Sequence, residues 1–226
     1  MINARMLHYI KFMFRCLIGS DGTLFNYNYH VKALIFFVFV LLHFTLVNAQ
    51  KFTIQDIPLY WSDFNLTSRP ASNGFVARIS TSLSRNYSRS KDDDNVILLN
   101  VILSINKKAS CADYVFLDME PDSSKNALLN HEKGHLIIAL LHFRKMIDSL
   151  SKRHFSVRYK LEADSVMKAL WNEDGAMSAF YDNDTNHGII TKRQLAWEKS
   201  LMIQFNNLCA TDDKIAFEAQ IKLQID

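Results

Sequence analysis

The spacing of apolar residues changes along this chain, and the change predicts strands early in residues 50–226 and helices after them. Apolar and polar side chains alternate over residues 75–83, as in a strand with one buried face. The polar residues 84–94 predict a solvated loop. Val96–Ile105 is apolar on both faces at first, which predicts a central strand. Tyr114–Met119 predicts a short third strand.

Helices are expected after Pro121. The first should cover residues 125–150, with Ser123 and Ser124 as hydroxyl caps before it. Its middle is apolar on every side, which indicates a buried helix. Later helices are expected at residues 157–171, 173–181 and 189–208, with a break near Gly175 and a polar turn over residues 182–188.

Together these elements predict an α+β domain in which a small N-terminal antiparallel sheet packs on a helical region. Hydrophobic residues make up 49% of the chain and charged residues 22%, with only 6 Gly and 3 Pro. That composition excludes a disordered or collagen-like chain. No internal repeat or linker interrupts residues 50–226, so we interpret them as a single domain.

An apolar run over residues 33–47 resembles the core of a signal peptide. It is shorter than the roughly 20 residues that a membrane span needs, it follows Lys32, and Val47-Asn48-Ala49 after it resembles a cleavage signal. We therefore expect cleavage between Ala49 and Gln50 and export to the periplasm or beyond, with an uncleaved membrane anchor as the alternative. Residues 1–30 are long for the region before such a core, which predicts a true start near Val31.

Removal of residues 1–49 would change both the charge and the cysteine content. The formal net charge of +3 lies in that segment, which holds four basic residues and one acidic residue. Residues 50–226 carry no net charge, so a nucleic-acid partner has no electrostatic support. Cys111 and Cys209 remain as an even pair. An oxidising compartment permits a disulfide between them, and two unpaired buried thiols are the open alternative.

The candidate chemistry is concentrated in residues 131–135, His-Glu-Lys-Gly-His. Histidines four residues apart share one face of a helix, so His131 and His135 can bind one Zn²⁺ ion. Glu132 lies about 100° around the helix from His131, where its carboxylate can take a proton from a metal-activated water that attacks a carbonyl. The alternative is a chance match of paired core histidines. Glycine is costly within a helix, so Gly134 indicates that another backbone approaches there.

A zinc site needs a third protein ligand, and two candidates lie downstream. Glu162 is at the edge of the apolar face of the next helix, where a gluzincin carries its ligand, although solvated helix charges also occupy such edges. His187 lies in the polar turn, where it can face a metal while Asp182 or Asp184 holds its second ring nitrogen. His142 is about 10 Å along the helix from His135, too far to share its ion.

Three sequence segments resemble a bacterial family that is catalogued as a domain of unknown function and described as predicted secreted zinc-dependent proteases. They are WSDF at residues 61–64, HEKGH at residues 131–135, and YDNDTNHG at residues 181–188 with Gln194 and Trp197 after it. The resemblance implies secretion, zinc and peptide hydrolysis, with His187 as the third ligand.

The sequence therefore predicts an exported zinc-dependent peptidase. Glu132 would be the general base, and His131, His135 and His187 would hold Zn²⁺. The partner would be a peptide or protein substrate, with no nucleic acid and no stable membrane association after signal cleavage. A non-catalytic metal-stabilised binding domain and a membrane-anchored interaction module without metal are the alternatives.

Overall fold

The computed structural model describes residues 52–68, 76–208 and 215–225, which belong to a compact unit spanning Gln50–Asp226. The predicted signal peptide with its cleavage site, the start near Val31 and Cys209 all lie outside the described residues. Among the described helices, none combines the length and apolarity needed to cross a membrane.

The chain has the predicted α+β class, with a small sheet packed against helices. Within the described ranges, the α-helices are α1 (Tyr114–Met119), α2 (Asp122–Ser151), α3 (Tyr159–Thr185) and α4 (Thr191–Leu208). The strands are β1 (Asn65–Thr67), β2 (Ala77–Arg78), β3 (Thr81–Arg89), β4 (Val96–Ile105), β5 (Cys111–Asp113), β6 (His154–Phe155) and β7 (Glu218–Ile225).

The larger sheet has the strand order β3-β4-β7-β6, so β4 is an inner strand as the sequence predicts. Its residues Leu99, Val101 and Leu103 are buried in the core. The loop predicted over residues 84–94 is wrong for its first half, because β3 pairs antiparallel with β4 as far as Arg89. An edge strand tolerates polar side chains on its solvated face, and this polarity made β3 resemble a loop.

The sheet is neither wholly N-terminal nor wholly antiparallel, which corrects that part of the expected architecture. Strand β7 comes from the end of the chain and lies between β4 and β6, and its pairing with β6 is parallel. Ile221 and Leu223 of β7 alternate with polar residues and are buried, so a period-two pattern was present in the sequence.

A smaller sheet has the order β1-β5-β2. Its inner strand, Cys111–Asp113, ends where a third strand was expected to begin, and Tyr114–Met119 is a helix. The Asp113 side chain accepts a hydrogen bond from the Val115 amide (2.9 Å). Asp113 therefore caps the N-terminus of α1, where the first backbone amides of a helix have no partner within the helix.

The long helix predicted over residues 125–150 is confirmed by α2, which begins at Asp122 after Pro121 rather than after the predicted serines. The break near Gly175 is wrong, because α3 runs through it without interruption. One helical glycine costs about 1 kcal/mol relative to alanine, and packing against α2 and α4 outweighs that cost. The last helix begins at Thr191, two residues later than expected.

Candidate metal centre

Helix α2 brings the two motif histidines to the C-terminal end of α3. The two helices run antiparallel, because His131 of α2 faces Asp182 of α3 whereas His142, further along α2, faces Asp174, earlier in α3. His131 and Glu132 are each only 2% exposed. The imidazoles of His131 and His135 lie edge to face, with ring centroids 5.0 Å apart, as the four-residue spacing predicts.

Three imidazole nitrogens converge on one carboxylate oxygen. Asp182 Oδ1 lies 3.1 Å from His131 Nε2, 2.9 Å from His135 Nε2 and 3.3 Å from His187 Nδ1. Candidate ligand atoms of His131, Asp182 and His187 all lie within 4.8 Å of one another. The structure therefore brings together the three predicted histidines, and it adds Asp182 at their centre.

The turn after α3 folds His187 back toward α2. Asn186, His187 and Gly188 all have positive φ angles, of 47°, 54° and 82°. Such angles are uncommon for a residue with a side chain and often accompany functional sites. The His187 amide donates to the Asp182 carbonyl (2.9 Å), and the Gly188 amide donates to the Thr185 hydroxyl (3.2 Å). These bonds hold the turn in its left-handed conformation.

Two glycines allow α3 and its turn to approach α2 closely. A β-carbon at Gly134 would lie 2.3 Å from the Tyr181 hydroxyl oxygen. A β-carbon at Gly188 would lie 3.2 Å from the β-carbon of His131. The close approach expected at Gly134 is therefore real, but its partner is a tyrosine side chain and not a backbone.

A hydrogen-bond network fixes the orientation of His131. Gln194 Nε2 donates to Glu198 Oε1 (3.0 Å) and to the Tyr181 hydroxyl (2.7 Å), so Gln194 Oε1 faces His131 Nδ1 at 3.1 Å. Because a carboxamide oxygen only accepts, His131 Nδ1 carries the hydrogen. The Tyr181 hydroxyl donates in turn to the His131 carbonyl (3.2 Å).

The protonation of the cluster follows from these contacts. Burial raises the pKa of Asp182, but hydrogen bonds from His131 and His135 and their charges outweigh burial and hold this pKa well below its ordinary value. Burial alone would lower the pKa of His135. The hydrogen bond to Asp182 and the nearby charge of Glu132 reverse that effect and raise it. The site therefore contains an ionised carboxylate that attracts cations.

A cleft of about 200 Å³ opens over the cluster, and Glu132 lies in its wall. Glu132 Oε2 accepts a hydrogen bond from the Ile79 amide (2.7 Å). Val76, Ala77 and Ile189 also line the cleft. Glu132 is thus held beside the histidines by a backbone donor, with access to the same cleft.

The structure separates Glu162 from this site. Glu162 lies in the first turn of α3, twenty residues before Asp182, which corresponds to about 30 Å along a continuous helix. Its carboxylate accepts hydrogen bonds from the Ser156 amide (3.1 Å) and hydroxyl, and these bonds lower its pKa. The gluzincin-like alternative therefore has no geometric support. His142 is buried and contacts the Ile138 carbonyl through Nδ1 (3.0 Å), outside the cluster.

The sequence left open whether Asp182 or Asp184 would hold the second nitrogen of His187, and it did not predict that Asp182 contacts all three histidines. It also gave no roles to Tyr181 and Gln194, although both belong to the segments that carry the family resemblance. Asp182 and His187 both lie in the polar turn predicted over residues 182–188, and this proximity was the available signal that the two side chains belong to one site. No protein family model, curated protein or solved structure matches this chain.

Proposed function

We propose that this protein is a zinc-dependent peptidase that acts after export. The observation that carries the proposal is the convergence of three imidazole nitrogens beside a buried glutamate at the base of one cleft. The fold alone does not imply this activity, since function resides in the site. The family resemblance of the three sequence segments supports the same reading.

The donor set fits zinc. Imidazole and carboxylate groups are ordinary zinc ligands, and the ionised Asp182 would compensate part of the charge of a bound ion. The network from Gln194 turns His131 Nε2 toward the site by holding the hydrogen on Nδ1, as partners behind a metal-binding histidine do. A zinc ion bound here would polarise a substrate carbonyl and lower the pKa of a coordinated water.

Glu132 is the proposed general base. Its Oε2 is engaged by the Ile79 amide, which orients the carboxylate while its other oxygen can accept a proton from the attacking water. Glu132 follows the proposed ligand His131 on α2, so its carboxylate lies beside the metal site and is not itself a proposed ligand. General-base contributions of this kind are typically 10²–10⁴-fold.

A strand edge that lines the cleft supports a peptide as the substrate. Strand β2 pairs with β5 on one side, and no other described strand pairs with its second edge. The Asp113 amide donates a hydrogen bond to the Val76 carbonyl, and Ala77 is the next residue in the antiparallel register. Because hydrogen-bonded and non-hydrogen-bonded pairs alternate in such a register, the backbone polar groups of Ala77 point away from β5. Ala77 lines the cleft, so an extended peptide could add to this edge by main-chain hydrogen bonds.

The test combines metal content with peptide cleavage. His131→Ala and His135→Ala should abolish zinc binding, and His187→Ala should weaken it, whereas His154→Ala, an exposed histidine in β6, should leave it unchanged. Glu132→Gln should retain zinc and lose most cleavage of a diverse peptide library. Glu162→Gln is the matched carboxylate control and should retain both. Equal cleavage by the wild type and Glu132→Gln would remove Glu132 from the mechanism.

One observation favours a second candidate, a non-catalytic metal-stabilised domain. Asp182 supplies a fourth donor beside the three histidines, and structural zinc sites fill all four positions with protein ligands. Zinc content does not separate the two functions, but hydrolysis does. Zinc-loaded protein that cleaves nothing in a diverse library would favour the non-catalytic domain. Absence of zinc binding would favour the third alternative, an interaction module without metal.

A further inference from the structure

The carboxylate of Asp182 is in contact with all three histidines of the cluster. Asp182 Oδ1 lies 3.1, 2.9 and 3.3 Å from the nitrogens of His131, His135 and His187. His131, Asp182 and His187 offer ligand atoms that all lie within 4.8 Å of one another, so the carboxylate belongs to the group of side chains that would hold the ion.

The histidine nitrogens that face Asp182 are those turned toward the site. A carboxylate that only supports a metal-binding histidine contacts the ring nitrogen remote from the ion. At His131 the remote nitrogen is Nδ1, and Gln194 already contacts it. Asp182 instead contacts Nε2 of both His131 and His135. Its position is that of a ligand.

Asp182 also has room to leave that position. Its side chain is 27% exposed and borders the cleft, whereas the His131 side chain is only 3% exposed. The cleft therefore lies next to the carboxylate and offers it space outside the buried core. The backbone carbonyl of Asp182 would keep its bond with the His187 amide, so the turn need not open.

We infer that Asp182 is the fourth metal ligand of the resting protein and that its withdrawal opens the position that hydrolysis requires. This inference rests on the proposed zinc site. With Asp182 as the fourth ligand, the metal ion of the resting protein would have no free position for a small anion or a substrate carbonyl. Binding of an extended peptide along β2, next to the site, would then favour the open arrangement, because the peptide and the Asp182 carboxylate compete for one position.

The experiment uses Co²⁺-loaded protein, whose visible absorption reports the number and type of ligands, and azide as the probe anion. Wild-type spectra should be insensitive to azide. Asp182→Ala should bind Co²⁺ at least tenfold more weakly, and its spectrum should change on azide addition. Asp182→Asn keeps the side-chain shape and serves if the alanine variant is unstable. Glu173→Gln, an exposed carboxylate on the same helix, is the control and should behave as wild type.

The outcomes separate this inference from the proposed function. Azide binding by the wild type equal to that of Asp182→Ala, with equal Co²⁺ affinity, would overturn the role of Asp182 and leave the peptidase intact. If azide left the Co²⁺ spectrum of the wild type unchanged but the wild type cleaved no peptide, Asp182 would be supported as a ligand and the proposed peptidase activity would be contradicted. Failure of the wild type to bind Co²⁺ or Zn²⁺ would overturn both.

Discussion

The phenol ring of Tyr181 occupies the space that a side chain at position 134 of α2 would need, so only a glycine, Gly134, fits there. A β-carbon at position 134 would come within 2.3 Å of the hydroxyl oxygen and 2.7 Å of the ring carbon that bears it. The tyrosine ring stacks on His131, with centroids 4.7 Å apart and planes 18° from parallel. Gly134 therefore fixes the distance between α3 and the histidines.

We expect Gly134→Ala to destabilise the protein despite the better helix propensity of alanine. Overpacking costs typically 1–3 kcal/mol, against a propensity gain of about 1 kcal/mol. Because Tyr181 would have to move, zinc affinity should also fall. Urea unfolding and a zinc-competition titration measure the two effects.

Gly175 provides the matched control for that substitution. It lies within α3, and a β-carbon there would meet nothing within 4 Å. Gly175→Ala should raise the free energy of unfolding by about 0.5–1 kcal/mol and leave zinc affinity unchanged. If both alanine variants changed stability equally, the contact with Tyr181 would not explain the glycine at position 134.

A second substitution tests the turn that carries His187. Gly188 has a φ of +82° and packs against His131. Alanine there should cost about 1–2 kcal/mol because a left-handed conformation disfavours a β-carbon, and the added carbon would press on the imidazole. We expect weaker zinc binding together with a lower urea midpoint. An unchanged zinc affinity would show that the turn is not constrained by this contact.

The orientation of His131 depends on Gln194. Gln194→Leu removes the acceptor of the Nδ1 hydrogen, so the ring can adopt the other tautomer or rotate. Zinc affinity should fall about 10–100-fold, as for other groups that orient metal ligands. The control is Gln204→Leu on the exposed side of the same helix, which should retain wild-type affinity. A similar loss in both variants would indicate a general effect on α4.

The sequence predicted which histidines lie together better than it predicted the sheets. Helical spacing places His131, Glu132 and His135 without reference to the rest of the fold, because one helical turn determines their geometry. Strands depend on partners far along the chain. Edge strand β3 has a polar face that resembles a loop, and β7 pairs with β4 across more than a hundred residues. Local periodicity cannot supply such pairings.

The role of Asp182 illustrates the same limit within the site. Its contact with three histidines depends on how α3 crosses α2, which Gly134 permits and Tyr181 determines. The sequence shows a glycine within a helix and an aromatic residue near a turn, but not that they meet. It does contain the segment in which Tyr181, Asp182 and His187 occur together, and from that segment His187 was expected near His131 and His135, where the structure has it.

A final prediction concerns the pH dependence of stability at an ion pair that joins β3 to α3. Arg85 donates two hydrogen bonds to Asp164, both 2.6 Å, and the Tyr87 hydroxyl donates a third of 2.8 Å. The bonds from Arg85 and then from Tyr87 outweigh burial and lower the pKa of Asp164. The folded protein thus binds this proton less readily than the unfolded chain does.

Asp164 should therefore stabilise the fold above its unfolded pKa of about 3.9, and this contribution should disappear as the pH falls through the lower pKa of the folded state. Asp164→Asn should reduce the free energy of unfolding near pH 7 by about 0.5–1 kcal/mol, a range suited to a partly exposed pair. The difference from wild type should shrink as the pH is lowered below about 4, and also in high salt.

Asp94→Asn, in the exposed loop after β3, is the control. Urea unfolding across this pH range measures both variants, and a constant difference down to the lowest pH would contradict the ion-pair explanation.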